Sequence, residues 1–270
     1  MRFGFASLAA PEMPLKDFIA QAALAGYDGL ELRGADRKHL DPAMSAPERA
    51  EVRRMLADAG LEAAAVTSYV RLAEAAADPA AGREAILAYV ALAADVGAAC
   101  VRVFGGEAPP DVPRDAAEGR MADLLLAVAD EARAAGVRVC LETHDACRTG
   151  RDVRRVLDRA KHPAIGALWD VHHPWAHGEP PAETFRLLGE RLGYLHLKDA
   201  FPLGDGGTQL CFLGAGDVPV REIVGILRSA GFAGYAVVEW EKAWHPELAA
   251  ADVAMVQHIR KLRAYVAAAG

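Results

Sequence analysis

RVCLETHDACRTGRDVRRVLDRAKHPAIGALWDVHHPWAHGEPPAETFRLLGERLGYLHLKD, residues 138–199, contains three short apolar runs, each ending in groups that ionise. The runs are RVCLETH (138–144), IGALWDVHH (165–173) and GYLHLKD (193–199); charged and alanine-rich segments over 152–160 and 182–190 separate them. Short apolar runs alternating with longer amphipathic segments predict parallel strands covered by helices. The alternation extends in both directions. Before it, RFGFAS (2–7), GLELR (29–33), LEAAAVTSY (61–69) and CVRVFG (100–105) precede helical segments over 15–25, about 47–59, 79–96 and 115–135. After it comes a helix over 220–230, then GYAVVEWE (234–241) and a helix over 246–268.

Eight strands and eight helices in strict alternation predict a closed α/β barrel, (β/α)8, more than an open sheet. The chain of 270 residues suits one such barrel, typically roughly 250 residues long, so 1–270 is read as a single domain. Gly26 and Gly97 stand where helices must stop, and Pro47 and Pro79 suit first helical turns. The loop after the seventh strand, PLGDGGTQLCFLGAGD (202–217), is the most glycine-rich stretch. It reads either as a lid or as irregular covering.

The net charge of −7 argues against a general nucleic-acid or anionic-membrane binder. No apolar run approaches the roughly 20 residues of a membrane span. The opening MRFGFAS reads as a first strand, not an export signal. Cys100, Cys140, Cys147 and Cys211 form no CxxC pair, and a reduced, cytoplasmic protein is expected.

In a closed barrel the C-terminal strand ends converge on one cup. Glu142, Asp170, His196 and Glu239 end or nearly end four consecutive strands there, each interrupting an apolar run (VCLE, ALWD, YLHL, AVVE). Three carboxylates packed with an imidazole repel one another unless a cation sits among them. The set suits one divalent ion, Mn²⁺, Mg²⁺, Co²⁺ or Zn²⁺. Glu241 shares the side-chain parity of Glu239, but Glu239 follows VV directly and is the better ligand. His173 and His144 are candidates for substrate contact, and His172 is equally a structural group. Lys198 shares the face of His196 and reaches either a substrate oxygen or a neighbouring carboxylate. Arg102 reads as an anion contact or as a salt-bridge partner inside the barrel. Trp175 and Trp244 are candidate pocket walls, with ordinary packing as the alternative.

GYDGLELR, LETH, WDVHHP, HLKD, LGAGDVP and VVEWE together resemble the sugar phosphate isomerase/epimerase superfamily. This is the xylose-isomerase-like TIM barrel group that includes D-tagatose 3-epimerase, inosose isomerases and dehydratases, hydroxypyruvate isomerase and endonuclease IV. The resemblance spans essentially the whole chain. It implies that Glu142, Asp170, His196 and Glu239 hold a catalytic metal and that Glu142 and Glu239 exchange protons with a sugar. It also implies a substrate contact at His173, and Glu31 fits its pattern. Two departures matter. The third and fourth strands end in TSY and VFGG, without the further histidines of endonuclease IV, and GAGD is followed by VPV with no histidine. The epimerases' arginine after the seventh strand has no evident counterpart in DAFPLGDGG.

The expected activity is therefore that of a metal-dependent isomerase or epimerase, moving a proton next to a carbonyl through a stabilised enediolate. The substrate class is a small carbohydrate or keto-polyol. The alternatives are a lyase of the inosose-dehydratase type on the same site, an endonuclease IV-like nuclease and a non-catalytic sugar-binding domain. A homodimer or homotetramer would match the resemblance.

Overall fold

The structure is a computed structural model and describes residues 1–35, 39–204 and 206–268. Eight parallel strands close a barrel: β1 (Arg2–Ala6), β2 (Gly29–Arg33), β3 (Glu62–Arg71), β4 (Cys100–Phe104), β5 (Arg138–Glu142), β6 (Ile165–Asp170), β7 (Leu192–Leu197) and, beyond a two-stranded insertion of β8 (Asp199–Pro202) and β9 (Thr208–Cys211), β10 (Tyr235–Val238). The order around the barrel is β1-β10-β7-β6-β5-β4-β3-β2. The helices that cross over between strands are α1 (Leu15–Ala25), α2 (Ala46–Asp58), α3 (Leu72–Ala75) with α4 (Pro79–Val96), α5 (Arg114–Ala134), α6 (Gly150–Arg159), α7 (His172–Ala176) with α8 (Pro181–Leu188), α9 (Val220–Ser229) and α10 (Ala251–Ala268).

Local signals explain the boundaries. α1 and α4 stop at Gly26 and Gly97, which take φ values of +89° and +84° that a side chain would resist. Ser45 and Glu48 form a capping box that starts α2. One apolar layer lies between strands and helices, and a smaller one, including Ala64, Ala65, Leu168, Tyr194 and Tyr235, fills the barrel interior. Among the described residues no helix is long and apolar enough to cross a membrane.

The structure departs from the sequence reading at several places. The run IGALWDVHH is a strand only to Asp170, and His172 opens the short helix α7. The last helix begins at Ala251, not at 246, because 242–249 are turns in which the Lys242 ammonium bonds to the Pro246 and Leu248 carbonyls. The glycine-rich loop is an antiparallel hairpin, β8–β9, with Phe201 and Leu203 exposed near its tip; Asp205 lies outside the described residues. Its base is fixed by the buried Asp199 carboxylate, which accepts backbone N–H bonds from Ala200, Gly214, Gly216 and Val218.

His258 on α10 lies among Phe5, Phe212 and Trp240, with ring centroids 6.4, 5.6 and 5.0 Å away. Burial pushes this imidazole down to about 3, whereas an unfolded histidine protonates near pH ~6.5. The folded value is the depressed one. Its contribution to stability is therefore complete above about pH 6.5 and is lost as pH falls towards about 3, the window in which only the unfolded chain binds the proton. Between pH 7 and pH 5 the loss from this residue is about 2 kcal/mol. Urea unfolding of His258→Gln should lose that much less than wild type over the same interval. Equal losses in the two proteins would mean that the ring takes up protons without unfolding.

Candidate metal centre

Glu142 is the last residue of β5 and Asp170 the last of β6. His196 lies near the end of β7, and Glu239 follows β10 directly. Each of the four places one ligand atom so that all four atoms lie within 4.8 Å of one another, and all four residues are buried. In the barrel order β10, β7, β6 and β5 are consecutive neighbours, so four side chains spread over about 100 residues of sequence converge on one point. His196 Nδ1 stands 3.2 Å from Glu142 Oε1 and 3.3 Å from Glu239 Oε2.

The atoms facing outward from the cluster are already engaged. Glu142 Oε2 accepts from Arg102 Nη1 at 2.8 Å. Asp170 Oδ1 accepts from the His172 backbone N–H at 2.9 Å. His196 Nε2 lies 2.9 Å from both oxygens of Glu31. The inward atoms are not so engaged. His196 Nδ1 and Asp170 Oδ2 are buried without a hydrogen bond of normal alignment, although the Lys198 ammonium lies 2.8 Å from that Asp170 oxygen. Buried polar atoms left unpaired are costly. The outer atoms are tied to groups outside the cluster, while the inner ones face one another and the Lys198 ammonium, so the four ligand groups are oriented toward one point.

The charges point the same way. Five carboxylates, Glu31, Glu142, Asp170, Glu239 and Glu241, face three permanent cations, Arg33, Arg102 and Lys198. Two negative charges remain uncompensated beside a neutral imidazole, a deficit that one divalent ion closes. Without it the imidazole takes up part of the burden. Burial drags His196 down, but Glu239, Glu31 and Glu142 outweigh that and hold it well above the usual histidine range. Burial pushes the three ligand carboxyls up, yet their cations win: Arg102 and His196 hold Glu142 low, Lys198 and His173 hold Asp170 low, and His196 and Lys198 hold Glu239 well below the usual range. These neighbours favour the carboxylate form of both Glu142 and Glu239.

Around the cluster, Lys198 ion-pairs with Asp170, Glu239 and Glu241, so Glu241 caps the lysine and Glu239 is the one that enters the cluster. His173 Nε2 is 3.6 Å from Asp170 Oδ2, and burial lowers its imidazole to about 4. The His144 ring packs 4.4 Å from that of His173, and its Nδ1 is 2.7 Å from Asp145 Oδ1. Burial pulls His144 down, but the Asp145 hydrogen bond and the Glu142 charge leave it above the ordinary value. His172 lies outside the cluster, its Nε2 2.9 Å from Thr208 Oγ1 of the hairpin. Arg102 is a buried salt-bridge partner, with its guanidinium 3.9 Å over the Phe104 ring. Trp240 is buried and Trp244 is 54% exposed at the rim, edge-on to Tyr69; Trp175 packs beside His172.

Tyr69 and Tyr194 carry no signal in the sequence, and Glu31 only fits the family pattern. The structure puts Glu31 beneath the cluster, hydrogen-bonded to the Tyr194 hydroxyl at 2.7 Å. The signal for Glu31 was available: a lone acid inside GLELR, like the acid in VCLE. A small cavity lined by Glu31, Arg33, Tyr69, Arg102 and Glu239 adjoins the cluster. Larger clefts, about 370 Å³ at the N-terminal ends of β4–β7 and about 830 Å³ on the outer face of α10, gather no comparable ligand set, so chemistry and not cleft size locates the site.

A sequence profile described as xylose isomerase-like TIM barrel matches residues 19–262. Fructoselysine 3-epimerase of Shigella flexneri is 28% identical over 128 residues, 45% of this chain and 45% of that protein, so the alignment spans less than half of the curated relative. The structure of an L-ribulose 3-epimerase superposes with a TM-score of 0.81 at 20% identity, covering 99% of this chain and 95% of that one. An IolI protein solved with a zinc atom gives 0.83 at 17% identity, covering 100% of this chain and 99% of that one. The two structures share the fold at that level of identity. With the profile matched across nearly the whole barrel, the chain belongs to the xylose isomerase-like TIM barrel family.

Proposed function

We propose that this protein is a divalent-metal-dependent isomerase or epimerase of a sugar or keto-polyol, with Glu142, Asp170, His196 and Glu239 holding the ion. The observation that carries the reading is the convergence of the four buried ligand groups, with Glu142 and Glu239 entering from strands three steps apart in the barrel. A bound ion would supply Lewis-acid polarisation of the substrate carbonyl and its neighbouring hydroxyl. Glu142 takes the proton from the carbon next to the carbonyl. Return of that proton from Glu142 to the neighbouring carbon isomerises; epimerisation needs a proton delivered to the opposite face by Glu239, which must first take one up from solvent while Glu142 releases its own to solvent. Arg102 and Lys198 keep positive charge where negative charge grows on the substrate oxygens. His144, His173 and Lys198 contact the substrate hydroxyls. The 3-epimerase name of the Shigella relative agrees with this class of substrate.

The test has two arms. Mn²⁺ at about 100 times its Kd should stabilise the EDTA-treated protein by about 2.7 kcal/mol, a rise in Tm of about 5–10 °C. A panel of ketoses followed by NMR in D₂O should then show metal-dependent deuterium uptake beside the carbonyl with no loss of mass. Loss of water instead would assign the site to a dehydratase, and binding of metal and sugar with no exchange at any carbon would make it a binding domain.

A further inference from the structure

Glu31 and His196 are 165 residues apart and come from β2 and β7, on different sides of the barrel. Both are buried, at 1% and 0% exposure. Glu31 reaches beneath the cluster and sets both its oxygens 2.9 Å from His196 Nε2. The Tyr194 hydroxyl, on the same strand as His196 and two residues before it, donates to Glu31 Oε1 at 2.7 Å and keeps the carboxylate from turning away. A carboxylate can only accept, so the imidazole must present N–H at Nε2. The lone pair of the neutral ring is then confined to Nδ1, the atom that faces Glu142 and Glu239. A ring flipped by 180° would put Cδ2 where Nδ1 faces the cluster and Cε1 where Nε2 faces Glu31.

We infer that Glu31, held by Tyr194, is the positioning residue of the metal centre: it fixes the tautomer and rotation of His196 so that Nδ1 is aimed at the ion. This rests on the metal reading of the four-residue cluster. Glu31 touches neither ion nor substrate, and its effect passes through His196. Partners of this kind typically contribute 10–100-fold to metal affinity.

The experiment is calorimetric titration of Mn²⁺ into the EDTA-treated wild type, Glu31→Gln, Glu31→Ala and Tyr194→Phe, each well below its own melting temperature. Glu31→Ala should bind about 100-fold more weakly and Glu31→Gln about 10-fold more weakly, because an amide oxygen still accepts from Nε2 but polarises the ring less. Tyr194→Phe should fall between wild type and Glu31→Gln. The ring ¹⁵N shifts of His196 in the Zn²⁺-loaded wild type should report a protonated Nε2 and a ligated Nδ1. A purely structural Glu31 would lower Tm and leave both readouts unchanged. Glu31→Gln binding Mn²⁺ as tightly as wild type overturns the inference, whether or not Glu31→Ala folds. A wild type that binds no Mn²⁺ overturns the metal reading and this inference with it; a wild type that binds while Glu31→Gln is unaffected overturns this inference alone.

Discussion

Glu142→Gln and Glu239→Gln, each saturated with Mn²⁺, are expected to exchange deuterium beside a ketose carbonyl at least about 10³-fold more slowly than wild type, within the 10²–10⁴ range of positioned acid–base catalysis. Glutamine retains the length of the side chain and a carbonyl oxygen that can still ligate. It loses the charge and cannot take a proton. Because both glutamates sit in the cluster, a drop in rate could reflect a lost ligand as easily as a lost base. Asp170→Asn separates the two: it weakens a ligand of the same cluster in a residue given no proton to move. Raising Mn²⁺ should restore its exchange and should leave the glutamine variants inactive. Glu142→Gln also strands the Arg102 guanidinium, whose ion-pair partner is the Glu142 carboxylate, so its folded fraction must be measured alongside the rate. If either glutamine variant exchanges at close to the wild-type rate once saturated, its assignment as a base is wrong.

The parts of this site that could be read from sequence share one property. A charged residue at the buried end of an apolar strand is a local anomaly, visible within four residues, and the (β/α)8 order says that such ends meet. Glu142, Asp170, His196 and Glu239 were visible in that way. Parity along a strand left Glu239 and Glu241 undecided; the Lys198 ammonium pairs with both, and it is Glu239 that brings an oxygen within reach of the other three ligand groups. The Glu31–His196 contact had no local signature at all. It depends on how far one long side chain extends across the interior, over Ala64 and Ala65 and beside Tyr194, and that is a matter of packing between layers. The β8–β9 hairpin escaped notice for a different reason. TQLC and DAFP are only four residues each, and the hairpin's own Asp199 anchors its base by accepting from the distant Gly214, Gly216 and Val218. The late start of α10 is similar: PELAA has helical composition, but the Lys242 side chain has already claimed the Pro246 and Leu248 carbonyls.

Lys198→Met should be the most destabilising conservative change at the cluster, and its effect should depend on metal. The ammonium is buried and in contact with Asp170, Glu239 and Glu241. Burial pulls its pKa down, but Asp170, Glu239 and Glu241 overcome that and raise it well above the usual lysine value, so it is charged throughout the working range. Methionine fills much of the same volume without the charge. In the metal-free protein, Glu239 then keeps His196 and Arg102 as counter-charges, while Asp170 loses its main one. Removing one partner of a buried ion pair costs about 3–5 kcal/mol, which for a chain of this size is a fall in Tm on the order of 10 °C. A divalent ion restores the missing charge, so Mn²⁺ should raise the Tm of Lys198→Met by more than it raises that of wild type. The difference between the two metal-induced shifts measures how much of the cluster's repulsion the lysine was carrying. Equal shifts, or a metal-free variant as stable as wild type, would mean that the ammonium and the ion do not share the same carboxylates, and the charge balance assigned to this site would have to be redrawn.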